Sequence, residues 1–311
     1  MRLAGKLACT ALLSLLGTPL WAASFTITPT FDSSFATNTH AAVIESVIQS
    51  AIKVYESTFS DPINVAITFD LSSSLDDAVS ETEWTPLTIS YDTFSQALQK
   101  DAKDATDTMA TAANPVALTN PVNGTKSIHI KPANAKALGI SPCDPSCPQS
   151  DATIMIDPTQ TDVEGGHYSL LTAVEHEMDE ALGLGSSLGV FTDNNPSPED
   201  LFRYNASGKR SFSLSSDVSA YFSLNGTTDL AQFDNSGYGD YGDWLTGAAL
   251  PQVQDALMTQ DESPVLSVNE ITALDAIGYD LATPEPGSLM MMITGAIILF
   301  LSARRVRVRS R

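Results

Sequence analysis

"VEHEMDEALGLGSSLG", residues 174–189, is the stretch on which the reading of this 311-residue chain turns. At 100° per residue, a helix over 168–182 gathers Leu171, Val174, Met178, Ala181 and Leu182 on one face. His176, Glu177 and Glu180 fall on the opposite side, where the small residues Ser169 and Ala173 leave room above them. His176 and Glu180 are neighbours one turn apart, and Gly183 predicts the stop. An ordinary surface helix also sets a polar face against an apolar one, so the pattern alone leaves both readings open.

The residue types on that polar face are ones that a metal site also uses. Zinc accepts imidazole nitrogen and carboxylate oxygen, and a catalytic site commonly uses three protein ligands plus a water. His176 and Glu180 supply two ligands, and Glu177, beside them, suits a general base acting on that water. The remaining histidines, His40, His129 and His167, offer no third ligand at helical spacing, and His167 lies too far along the helix axis. Asp200, in "PEDLFRY" at loop distance beyond the turn, is the expected third ligand. Arg203 in the same stretch is scarce positive charge, suited to a substrate carbonyl oxygen or a site carboxylate, or to a salt bridge within a strand. "GDYGDW", residues 239–244, would line a cleft through Tyr241 or Trp244, or serve only as turns.

Both ends of the chain read as addresses. Residues 1–23 carry a basic start (Arg2, Lys6), an apolar run and the small residues "WAAS", the pattern of a secretory signal peptide. Residues 283–311 place Pro284, Glu285 and Pro286 before an apolar segment of roughly 16 residues, at the short limit for a membrane span, and then Arg304, Arg305, Arg307, Arg309 and Arg311. An ordinary membrane anchor fits the same features. These two segments hold seven of the 16 basic residues and only Glu285 of the 37 acidic ones, leaving a central region, 24–282, with a net charge of about −27. Nucleic acid is therefore an unfitting partner. Such acidity suits a soluble extracellular surface, with calcium sites as the alternative. Cys143 and Cys147, in "SPCDPSCPQS", suit a local disulfide in an oxidising compartment better than a two-cysteine metal site.

The central region is long enough for one large domain. Residues 38–59 have helical apolar spacing, and Ile63, Val65, Ile67 and Phe69 alternate as in a strand. A second helix is expected over 90–113, with strands over 126–132 and 152–158. This order suits an α/β or α+β layer fold.

The helix resembles that of the metzincin metalloproteases, whose pattern is H-E-x-x-H-x-x-G-x-x-H. His176, Glu177 and Gly183 match at their offsets, while Glu180 and Ser186 stand at the second and third histidine positions. "DALMTQ" and "VLSVNEITALDAIGYD" resemble the Met-turn and closing helix of that clan, which makes Met258 the Met-turn methionine or, more plainly, a core methionine. The stretches 38–70, 135–139, 176–188, 200–212, 221–233, 239–244 and 271–280 look like a family of bacterial secreted metalloproteases with an HExxE helix. The Pro-Glu-Pro tail resembles the PEP-CTERM sorting signal. Together these resemblances imply an α+β, metzincin-like zincin fold with a mixed sheet, an active-site helix and a mostly irregular C-terminal subdomain. They further imply one zinc ion, an extracellular protein or peptide substrate, exosortase processing of the tail, and a cell-surface or matrix location. A non-catalytic protein of the same fold, associated with the surface or its exopolysaccharide, is the alternative.

Overall fold

The computed structural model describes residues 24–75, 78–140 and 150–282. The expected signal peptide, the Cys143–Cys147 pair and the Pro284–Pro286 tail lie outside these residues. Along the chain run β1 (Thr26–Phe31), α1 (Ala41–Thr58), β2 (Asn64–Leu71), β3 (Ser80–Glu83), β4 (Leu87–Ser90), α2 (Tyr91–Asp101), α3 (Ala105–Ala113) and β5 (Ser127–Ile130). They are followed by α4 (Pro132–Ala137), β6 (Ala152–Ile156), α5 (Leu170–Leu182), β7 (Arg203–Asn205), β8 (Ala220–Phe222), β9 (Ala231–Gln232) and α6 (Val268–Ala276). The class is α+β with a mixed sheet. Beyond α5 the chain is largely loop, carrying three short strands and α6. Among the described residues no helix is long and apolar enough to cross a membrane.

The main sheet has the order β1-β2-β6-β3. Its first three strands are parallel, and β3 runs antiparallel along the β6 edge. Alternation in β2 buries Val65, Ile67 and Phe69, and in β6 Ala152, Ile154 and Ile156, giving the sheet the apolar face that the period-2 pattern predicts. Ile44, Ile48, Ala51, Ile52 and Tyr55 of α1 and Val174, Met178, Ala181 and Leu182 of α5 belong to the same buried cluster.

Two expectations change in detail. The helix expected over 90–113 is two helices, because the Asp104 carboxylate accepts the Thr106 and Asp107 N–H groups and so starts α3 afresh. The motif helix is no surface helix, since Glu175, Glu177 and Asp179 are buried beside its apolar residues. Each of these acids has donors from another element. Leu266 N–H bonds Glu175, the Thr82 hydroxyl bonds Glu177, and the Tyr55 hydroxyl lies 2.7 Å from Asp179 Oδ1. Burial, then Glu270, pushes the Asp179 carboxyl well above its usual range, against the Tyr55 hydrogen bond.

Tyr55→Phe leaves Asp179 Oδ1 without its donor, so the midpoint of urea unfolding should fall by the equivalent of about 1–3 kcal/mol with an unchanged slope. An unshifted midpoint would show that this hydrogen bond does not hold α1 to α5.

Candidate metal centre

Ser169 caps α5 by accepting the Thr172 N–H, and Gly183 ends it at φ +148°, a conformation that L side chains rarely adopt. A Cβ at Gly183 would also approach Ile277 Cδ1 to 2.8 Å. The chain then turns through Gly185 and meets the loop at 239–244 so closely that a Cβ on Gly242 would sit 2.5 Å from the Gly185 Cα. Asp240 Oδ1 accepts the N–H groups of Ser186 and Gly242, which locks the two segments together.

That contact brings Asp243 to the polar face of α5. His176 Nε2 lies 3.7 Å from Glu180 Oε1 and 3.8 Å from Asp243 Oδ1, and one ligand atom from each residue falls within 4.8 Å of the others. His176 Nδ1 is 2.9 Å from the Val253 carbonyl. A carbonyl only accepts, so Nδ1 carries a proton, and Nε2, which faces the two carboxylates and would give up its own proton on binding, is the atom left to a metal. Gln254 Nε2 donates to Asp243 Oδ1, and the Asp240 N–H to Asp243 Oδ2. Outer hydrogen bonds of this kind orient metal ligands.

The electrostatics point the same way. Burial alone would lower the His176 pKa, but Glu180, Asp243 and Glu177 hold it well above the ordinary range. Glu180 stays below its ordinary value despite burial, because His176 and Lys131 favour its charge. Burial and then Glu180 push Glu177 up to about 7, opposed by His176 and by the Thr82 and Ser80 hydroxyls. Asp240 is pushed up to about 6, and Asp243 goes well above its usual range, in both cases chiefly by burial. Lys131 spends part of its hydrogen bonding on the Leu184 carbonyl, 2.6 Å away. One imidazole and one ammonium thus face four acids, an excess of negative charge that a divalent cation would balance.

The donor set fits such an ion. Tetrahedral ligands about 2.0 Å from zinc stand about 3.3 Å apart, so the observed 3.7 and 3.8 Å call for only a slight closing about His176, and Glu180 and Asp243 lie within 4.8 Å of each other. One nitrogen and two carboxylates suit zinc and also harder divalent ions such as manganese.

His176, Glu177 and Glu180 are therefore brought together as the sequence predicts, but Asp200 is not with them. Its Oδ1 accepts the Ser186 hydroxyl, and its Oδ2 accepts the N–H groups of Ser187 and Ser197 and the Ser197 hydroxyl. Asp200 is the buried brace of the turn after α5, and Asp243 takes the place expected for it. Arg203 is fully buried and does not reach a substrate. Its guanidinium donates to the Tyr241 carbonyl and Asn235 Oδ1 and stacks over Phe233 at 4.3 Å, holding the loop that carries Asp243. Trp244 is likewise buried, its indole bonded to Glu270, so it lines no cleft. Met258 is half-buried, and the residue that underpins His176 is Val253, earlier on the same coil. His167 is exposed and paired with Asp261. The sequence signal for Asp243 was the repeated Gly-Asp of "GDYGDW", where a glycine lets the backbone approach the turn and the following aspartate points at the helix.

Compared with protein-family models, with curated proteins and with solved structures, the chain matches none.

Asp243→Asn should lower metal content by tenfold or more, as measured by mass spectrometry of the purified chain. Asp200→Asn should keep it while lowering stability by about 1–3 kcal/mol, since the amide meets four hydrogen-bond donors. The opposite pattern would return the third ligand to Asp200.

Proposed function

We propose that this chain is a secreted, metal-dependent endopeptidase of metzincin-like zincin fold, with one zinc ion held by His176, Glu180 and Asp243. The observation that carries the reading is the convergence of those three side chains within 4.8 Å beside Glu177. Bound there, zinc would supply Lewis acidity, polarising a peptide carbonyl and making water easier to deprotonate.

The chain's own residues account for the rest. Glu177, pushed up to about 7, is suited to take a proton from water at its carboxylate and return it to the departing amine nitrogen. Thr82 Oγ1, 2.6 Å from Glu177 Oε2, keeps that carboxylate turned toward β3. Among the described residues β3 has β6 on one side only within the main sheet, so its other edge would offer backbone N–H and C=O groups to an extended peptide beside Glu177. At the end of β3 a cavity of about 540 Å³, lined by Thr82, Trp84, Val190 and Phe191 among others, would receive an apolar side chain of that peptide. A carboxylate-rich ligand set acidifies water less than three histidines do, so slow turnover belongs to the proposal.

The proposal extends to the termini. Export by residues 1–23 and exosortase processing near Pro284–Pro286 would place the domain at the cell surface or in its matrix, after transient attachment through the C-terminal segment.

The test pairs metal content with hydrolysis of unfolded extracellular protein. Glu177→Gln should keep about one metal per chain and lose peptide-bond cleavage by at least about 100-fold, while His176→Ala should lose both. A folded parent chain that takes up no metal and cleaves nothing would overturn the reading in favour of a surface- or exopolysaccharide-associated binding protein.

A further inference from the structure

We propose that Asp104, Asp107 and Asp275 form a second cation site, built for calcium, that ties α3 to α6. One carboxylate oxygen from each residue lies within 4.8 Å of the others, far along the chain from His176. Asp275 is 1% exposed, and neither of its oxygens has a hydrogen-bond partner. A buried carboxylate with both oxygens unpaired is costly unless a cation or a proton answers it.

The neighbouring acids are arranged to share a ligand. Asp104 Oδ1 accepts the Thr106 and Asp107 N–H groups, and Asp107 Oδ2 those of Lys103 and Asp104. The other oxygen of each residue has no donor among the described residues and remains available. Lys103, the nearest cation in sequence, is ion-paired with Asp280 instead. Burial pushes Asp275 up to about 7, opposed first by the Thr106 hydroxyl, which approaches the carboxylate without making a well-formed hydrogen bond, and reinforced by Asp104, Asp107 and Asp280. Asp61 and Asp101 add further negative charge around Asp280 and Lys103.

The donor chemistry selects the ion. Every candidate ligand is oxygen, as hard cations require, and nothing in the cluster offers the nitrogen or sulfur that zinc favours. Asp104 is exposed, so an ion can enter there and water can complete the six to eight oxygens that calcium takes. Asp275 lies in the last turn of α6, where the helix dipole favours positive charge. Glu270, in the first turn of α6, accepts from the Trp244 indole and the Gln254 N–H, next to the residues that hold Asp243 and His176. An ion at Asp275 would therefore steady α6, the element that backs the metal centre.

The experiment is thermal unfolding of the full chain in a His176→Ala background, which removes the other metal site, with calcium raised to about 5 mM against magnesium at equal ionic strength. Calcium should raise Tm by about 5 °C or more when well above its Kd, and Asp275→Asn should abolish that rise. Without calcium, Asp275→Asn should melt no lower than its parent, because it removes a buried like charge. Asp104→Asn keeps a residue able to cap α3 and should also lose the rise, which settles the matter if the first variant fails to fold. A parent Tm indifferent to calcium, or an equal rise in both variants or with magnesium, would overturn the proposal.

Discussion

A buried carboxylate must find donors or give up its charge, and α5 places Glu175, Glu177 and Asp179 in the interior with Glu180 almost as enclosed. The demand is met from four directions. Tyr55 comes from α1, Thr82 from the edge strand, Leu266 from the coil before α6, and Lys131, whose charge favours an ionised Glu180, from the end of β5. The helix is therefore the hub of the polar interior as well as a part of the apolar core. His176 is enclosed by the same arrangement, which is why its surroundings carry more acid than base.

The meeting of Asp243 with His176 and Glu180 depends on two loops far apart in sequence. The turn at Gly183 and Gly185 has to present bare backbone to Gly242, and the loop at 239–244 has to keep its shape while its aspartates face inward. Arg203 supplies part of that shape through Tyr241, Asn235 and Phe233, and Glu270 supplies another part through Trp244 and Gln254. A single buried guanidinium thus acts on the centre by fixing a backbone, with no contact to the ligands. Among the described residues the edge strand β3 pairs only with β6 in the main sheet, and its Thr82 reaches Glu177.

Local patterning made much of this legible. The periods of 3.6 and 2 located α1, β2, β6 and α5 within a few residues, because one face of each element is buried against its neighbours. Periodicity gave no warning of the break before α3, which comes from a side-chain cap that outcompetes helix continuation at Asp104. Asp200 and Asp243 are equally acidic residues in loops beyond the helix, and proximity in sequence favours Asp200, whereas the fold brings Asp243 to His176 and Glu180. Asp200 meets four donors at its own turn, whereas Asp243 reaches the helix only after the chain has passed through β7, β8 and β9.

By itself the sequence determined the helix, its stop at Gly183, and the turn-apart pairing of His176 and Glu180 with Glu177 between them, because those relations follow from the fixed geometry of one helix. Only the tertiary structure decided the approach of Asp243 to His176 and Glu180, the burial of Arg203 and the meeting of Asp275 with Asp104 and Asp107. Each of these depends on which loops and helices pack together, and a carboxylate or guanidinium shows its role only when its donors, acceptors and neighbouring charges are in place.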